Sequence, residues 1–371
     1  MDDLRKALFR ALEKSDINML RAVLSQGVSL AYEDGDPDPV CFVGAPYDGV
    51  YLEGLTFLHA AGADIYASEL EYQDSLLHWC VNNDDEDLLP WLIAQGLDVN
   101  AVNSKGRTPL FFAAYTHGDE TIHARAMRDV RRLVEAGADA GIIDNDGGTV
   151  LHNAAYAGAL DLVDYLLATG CRADSLNGAR QTPLHVIALR SDEDLHEGHL
   201  AIADLLLEAG ADINALDEDG HPPLACTHYG PSVTMARKLI DRGANLNANN
   251  GAPLRMMMND DSREILAMLI EGGASLDIAH GDERLSPIGL AANNNCLGGI
   301  TALLDRGVDI EAENVDGETP LLIATWHGHH AAVDLLLTRG ANRHHTDHYG
   351  NTTQSWAQRR KDMRLINMLS Q

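Results

Sequence analysis

Three stretches of this chain carry side chains whose types could bind a metal or move protons. Asp34-Gly35-Asp36-Pro37-Asp38 has the alternating acids that open a calcium loop. Such a loop needs glycine at its sixth position for the sharp turn and a bidentate glutamate at its twelfth. Pro39 and Ala45 stand there instead, so the run reads as an acidic surface turn. His196-Glu197-Gly198-His199 sets its histidines three residues apart, whereas a zinc-protease helix needs them four apart on one face. His327, His329, His330, His344, His345 and His348 crowd one C-terminal stretch, and imidazole is the commonest metal ligand. No cysteine accompanies them, and a metal-binding adaptor remains an alternative reading of that cluster. Nothing resembles a nucleophile elbow, a phosphate loop or a carboxylate pair in a distinct catalytic domain. No catalytic residue, metal ligand or cofactor is therefore assigned, and the chain reads as a non-enzyme.

The elements that position these residues follow from a glycine that recurs at 27, 62, 96, 137, 170, 210, 243, 273, 307 and 340. Successive spacings lie between 30 and 41 residues, mostly near 33, and each glycine closes a leucine-rich segment. A fixed period of this size means one supersecondary unit copied along the chain, each copy burying its apolar face on its neighbours. The unit is clearest at 144–170. Asp144 to Gly147 supplies residues tolerant of positive φ for a tight turn. Thr149 is placed to cap a helix in which Leu151, Ala154 and Ala155 share a face, and Gly158 ends it. Leu162, Val163, Leu166 and Leu167 form the stripe of a second helix that Gly170 stops. His78, His152 and His185 fall at one position of the unit and read as structural histidines that tie turns.

The unit resembles the ankyrin repeat, whose Thr-Pro-Leu-His hallmark stands here as Thr182-Pro183-Leu184-His185. Variants occur at Thr108-Pro109-Leu110-Phe111, Pro222-Pro223-Leu224-Ala225, Ser286-Pro287-Ile288-Gly289 and Thr319-Pro320-Leu321-Leu322. The Gly-Ala-Asp tail is present at 62–64, 137–139 and 210–212. The resemblance covers nearly the whole chain, in about eleven units. It implies an all-α repeat solenoid with short β-hairpin fingers, one array over 1–371. Residues 1–30 form an N-terminal cap repeat, 31–345 the internal repeats and 346–371 a C-terminal cap. Extra residues enter near 117–127 and 191–197, between the paired helices of their repeats. The finger at Asp38 to Cys41 is degenerate, and the one at Asn249 to Pro253 is shortened.

The resemblance also implies a concave groove lined by finger tips and first helices, where proteins of this family commonly bind partners. Counting from each glycine puts Tyr115, Tyr156, Tyr229 and Trp326 at one equivalent position, just after the small residues of the first helix, with Arg190 one position further on in its own repeat. Aromatic residues are only 5% of the chain, and the repeat's core slots are leucine and alanine, so this file is expected to be exposed for contact. Finger positions beside it hold Arg107, Asp146, Glu218, Asp219, Asp316 and Glu318. An aromatic floor with an acidic rim suits a basic protein partner.

Composition supports the same picture. The net charge is −29, a field that repels nucleic-acid backbones and anionic lipid and draws in basic partners. No apolar run approaches the roughly 18 residues of a membrane span, and the acidic start lacks a signal-peptide pattern. Five cysteines are scattered singly, as expected of reduced thiols in a cytoplasmic protein. Scarce lysine beside frequent arginine points to a GC-rich, bacterial genome. These readings converge on a monomeric, non-catalytic scaffold that binds a basic protein and neutralises it, as an immunity protein does. The alternative is a secreted bacterial effector that captures a eukaryotic host protein.

Overall fold

The computed structural model describes residues 3–13, 16–28, 30, 52–66, 72–81, 85–115, 120–195, 197–258, 262–276, 281 and 284–370. The acidic run at 34–38, the degenerate finger at 38–41, His117 and His196 lie outside the described residues. Described helices pair in order along the chain, as in Val150–Ala157 with Leu160–Ala168 and Pro320–His327 with His330–Thr338. They gather into two compact units, Met1–Ala179 and Arg180–Gln371. Among the described residues no helix is long and apolar enough to cross a membrane.

First helices begin where a hydroxyl residue in extended conformation precedes proline. Thr108, Thr182, Ser286 and Thr319 are N-caps, and Pro109, Pro183, Pro287 and Pro320 follow at N1. Proline's fixed φ suits that position, where an N–H would lack a helical acceptor anyway. Alanines then allow close approach: Ala113, Ala114, Ala154, Ala155, Ala188 and Ala324 are fully buried. Left-handed glycines end the helices at Gly158 and Gly328.

The histidine of the hallmark acts as a two-sided tie. In one unit the Ser75 N–H donates to His78 Nδ1 at 3.0 Å, and His78 Nε2 lies 2.9 Å from the Arg107 carbonyl of the next finger. In the other unit the Thr182 N–H donates to His185 Nδ1, while Nε2 reaches the His221 carbonyl at 3.1 Å. An Nδ1 that accepts leaves the hydrogen on Nε2, so each ring is neutral and donates to the neighbouring repeat.

Fingers are closed turns; among the described residues no strand runs through them, and Thr346 and Thr352 form an isolated antiparallel bridge. Closure comes from a buried Asn or Asp at the first position. Asn103, Asp144, Asp217, Asn314 and Asp347 each accept, through Oδ1, the N–H groups two and four residues ahead. Successive fingers then bond through backbone. Asn145 N–H donates to the Lys105 carbonyl at 2.9 Å, Gly178 to Asp146 at 2.6 Å and His348 to Asp316 at 2.9 Å. Gly147 has φ 74°, and a Cβ there would meet the Gly178 nitrogen at 2.5 Å, so both turn and contact demand glycine.

The first insertion is largely helical. Its residues from 120 onward extend the second helix to Glu120–Glu135, sixteen residues against nine for Leu160–Ala168. That helix is tied back by Arg128, which pairs with buried Asp129 at 2.8 Å and with Glu86 at 3.4 Å. The second insertion supplies a cap instead. Asp192 accepts from the Ser232 hydroxyl at 2.6 Å and from the Val233 N–H at 3.1 Å, at the start of the next repeat's helix Val233–Asp241. The shortened finger is replaced by three left-handed residues, Asn249, Asn250 and Gly251, held by Arg255, which donates to the Asn249 and Asn250 carbonyls. Cys80, Cys226 and Cys296 are buried thiols, and Cys171 is half-buried.

Two outcomes follow. Asp347→Ala removes the closing acceptor and leaves two N–H groups unsatisfied, and is expected to lower stability by about 1–3 kcal/mol in urea unfolding. Asp347→Asn keeps an acceptor oxygen and should cost less. Burial holds the folded His78 below 6.5, outweighing the Arg107 carbonyl that favours the charged form. As pH falls through 6.5 the unfolded chain binds that proton first, so stability present above 6.5 is lost below it. His78→Gln should flatten this part of the pH profile.

Candidate partner-binding face

The four aromatic residues end first helices, as their spacing requires. Tyr115 is the C-cap of Pro109–Ala114, Tyr156 and Trp326 are the penultimate residues of Val150–Ala157 and Pro320–His327, and Tyr229 follows Pro223–Cys226. Each points partly into solvent, with fractional exposures of 54%, 42%, 45% and 55% for Tyr115, Tyr156, Trp326 and Tyr229. Helix Pro109–Ala114 packs on Val150–Ala157, placing Tyr115 and Tyr156 on neighbouring repeats of one unit; Tyr229 and Trp326 belong to the other.

Their settings differ. Tyr229 is flanked by imidazoles, with ring centroids 5.3 Å from His228 and 6.3 Å from His221. Partial burial and the nearby thiol and carboxylates of Cys226, Asp219 and Asp217 push its phenol up. Trp326 lies edge-on to Trp356 at 4.2 Å, and Arg359 covers the other ring at 4.6 Å. Arg360 donates to the Trp326 carbonyl at 2.6 Å. The penultimate helix Thr353–Arg360 thus builds a small aromatic and cationic shelf beside Trp326.

The charged positions are not equally available. Glu218, Asp219 and Asp146 are exposed. Arg107 is half-buried, its guanidinium 3.0 Å from Asp144 and 3.8 Å from Asp146, so part of the acidic rim is neutralised internally. Asp316 accepts the Tyr349 hydroxyl at 2.8 Å, which pushes that phenol up. Glu318 accepts from the Asn314 amide at 2.9 Å. Arg190 is half-buried and donates to the Asp194 carbonyl at 3.3 Å, within the second insertion.

One file of residues escaped the sequence reading. Val102, Ile143 and Leu176 in one unit, and Leu216 in the other, are exposed apolar side chains immediately before the closing Asn or Asp of their fingers. The signal was present as an apolar residue recurring at a surface-turn position. Three of the C-terminal histidines, by contrast, turn to different partners: His329 reaches the Asn293 carbonyl, His330 pairs with Asp362 at 2.9 Å, and His345 reaches the Gly317 carbonyl. His327 and His329 stack at 5.6 Å. Among the described residues, the three-residue group spaced to hold a metal ion lies elsewhere, at Asp217, Asp219 and His221.

Paired helices, left-handed turns and an exposed finger face define a repeat scaffold for protein–protein interaction. Family models agree: one described as ankyrin repeats in three copies matches residues 122–217 and 254–347, and another, of many copies, matches 77–122. These matches take in more than half of the chain, which belongs to the ankyrin-repeat family. Relatives include the B-cell lymphoma 3 protein homolog of Mus musculus, 30% identical over 213 residues, or 54% of this chain and 46% of that protein. Palmitoyltransferase ZDHHC13 of Homo sapiens is 28% identical over 57% of this chain and 34% of its own length. Rabankyrin-5 of Homo sapiens is 28% identical over 57% and 21%. The matched part spans less than half of each relative.

If the aromatic file is surface rather than core, its removal should hardly disturb folding. Tyr115→Ala is expected to shift unfolding by no more than about 0.5 kcal/mol. Leu110→Ala, one turn away and buried, should cost about 2–5 kcal/mol in the same chemical denaturation.

Proposed function

We propose that this chain is a non-catalytic scaffold that binds a basic protein through its finger tips and first-helix ends. The observation that carries this reading is the repeated exposure of a large aromatic at one position of the unit, beside exposed acids at 146, 218 and 219. Aromatic rings with few rotatable bonds bury much area at little entropic cost, and surrounding carboxylates select and steer cationic partners. The net charge of −29 acts in the same direction. The exposed apolar side chains at 102, 143 and 176 add a second contact line in one unit. In its finer form, covering the partner neutralises it, an immunity-type role in a bacterial cytoplasm for a protein monomeric by itself. A secreted effector acting on a host protein would use the same surface.

The test is affinity capture from the native cell with two double variants, Tyr115→Ala with Tyr156→Ala, and Tyr229→Ala with Trp326→Ala. At least one pair is expected to weaken the principal complex by about 2 kcal/mol or more, as hot-spot removal does. Affinity should also fall as salt rises through the physiological range. Full retention of the partner by both variants would refute the aromatic contact. Indifference to salt would refute its basic character.

A further inference from the structure

The finger at 217–221 carries a ligand set found in no other described finger. Asp217, Asp219 and His221 each offer one ligand atom, and those atoms all lie within 4.8 Å of one another. Closing the turn explains only the first of them. Asp217 Oδ1 accepts the Asp219 and His221 N–H groups at 3.1 and 2.7 Å. The same closure occurs with Lys105 and Arg107, Asp146 and Gly148, or Tyr349 and Asn351 at the two later positions. The fold therefore asks for neither a carboxylate at 219 nor an imidazole at 221.

A second observation is independent of the acids. His221 Nδ1 is buried from solvent and makes no hydrogen bond among the described residues. A buried polar nitrogen left without a partner costs on the order of 1–3 kcal/mol, and such groups call for a specific explanation. Its own residue is otherwise fixed: the His221 carbonyl receives His185 Nε2 at 3.1 Å, and the ring leans on Tyr229. Behind the finger the buried Cys226 thiol points to Asp217 Oδ2 at 3.8 Å. The thiol donates to that carboxylate and so supports it from behind.

We propose that Asp217, Asp219 and His221 bind a divalent transition ion of the zinc class. Two carboxylate oxygens and one imidazole nitrogen suit such an ion, and three protein ligands leave a position for water or for a donor from a bound protein. Calcium is disfavoured because it takes six to eight oxygens. The site stands whether or not the partner reading holds. It adds to that reading a metal-dependent contact beside Tyr229.

Zinc alone, titrated calorimetrically into the chelator-stripped full chain, should bind as one saturable equivalent per chain. Asp219→Asn and His221→Gln should each weaken binding by about tenfold or more. Asp146→Asn and the double variant His344→Gln with His345→Gln should leave it unchanged. Circular dichroism checks that each variant retains its helices. Cobalt loading gives a second measurement on the unaltered chain: a ligand-field band without a thiolate charge-transfer band is expected. The absence of saturable binding, wild-type affinity in both finger variants, or a thiolate band assigning Cys226 as a ligand would each overturn the proposal.

Discussion

Five of the described fingers each depend on one buried oxygen. A turn that doubles back over five residues leaves its own N–H groups pointing inward, where water cannot satisfy them. Oδ1 of Asn103, Asp144, Asp217, Asn314 or Asp347 accepts two of them at once. With the turn closed, the finger carbonyl is held where the preceding histidine can donate to it, as at Arg107 and His221. Where the histidine is present, one repeat is tied to the next by a neutral hydrogen bond. Individually these bonds contribute about 1 kcal/mol, and they add up along the chain wherever the repeat carries them.

That economy leaves charge free for other purposes, and the fold uses it unevenly. Arg128 with Asp129 and Glu86 anchors the extended helix of one insertion, and Asp192 from the other caps a neighbouring helix. Lys238 and Arg242 both engage Asp204 on second helices. On the finger side, Arg107 and Tyr349 occupy some of the acids. The formal charge of −29 therefore overstates the acidity of any one patch. Exposed Asp219 acts on Tyr229, so aromatic surface and negative charge coincide there.

Much of the local structure was legible in the chain. Thr182-Pro183 and Thr319-Pro320 announce helix starts through fixed φ and a side-chain cap, and Gly158 announces a stop through positive φ. The aromatic file at 115, 156, 229 and 326 could be aligned by counting, and its exposure follows from a register constant across the repeats. The insertions were less legible. Extra residues near 117–127 read as a connection, yet those from 120 onward continue the helix, whose Arg128 reaches Glu86 outside it. The apolar residues at 102, 143, 176 and 216 were overlooked because a turn is usually judged by its polar residues.

By itself the sequence determined the repeat, its helix boundaries and which positions recur on one face, since these depend on interactions within a few residues. Only the tertiary structure decided which of those positions are free to act. Whether Arg107 is a contact residue or an internal counter-ion depends on the next finger, which brings Asp144 within 3.0 Å. Whether six C-terminal histidines form a cluster depends on what neighbouring repeats offer them, and His329, His330 and His345 each engage a different partner. Residues 217, 219 and 221 would lie along one face of a strand, roughly 7 Å between successive members. A closed turn gathers their ligand atoms within 4.8 Å. Turn closure and repeat contact set those distances, and neither is written in residue spacing.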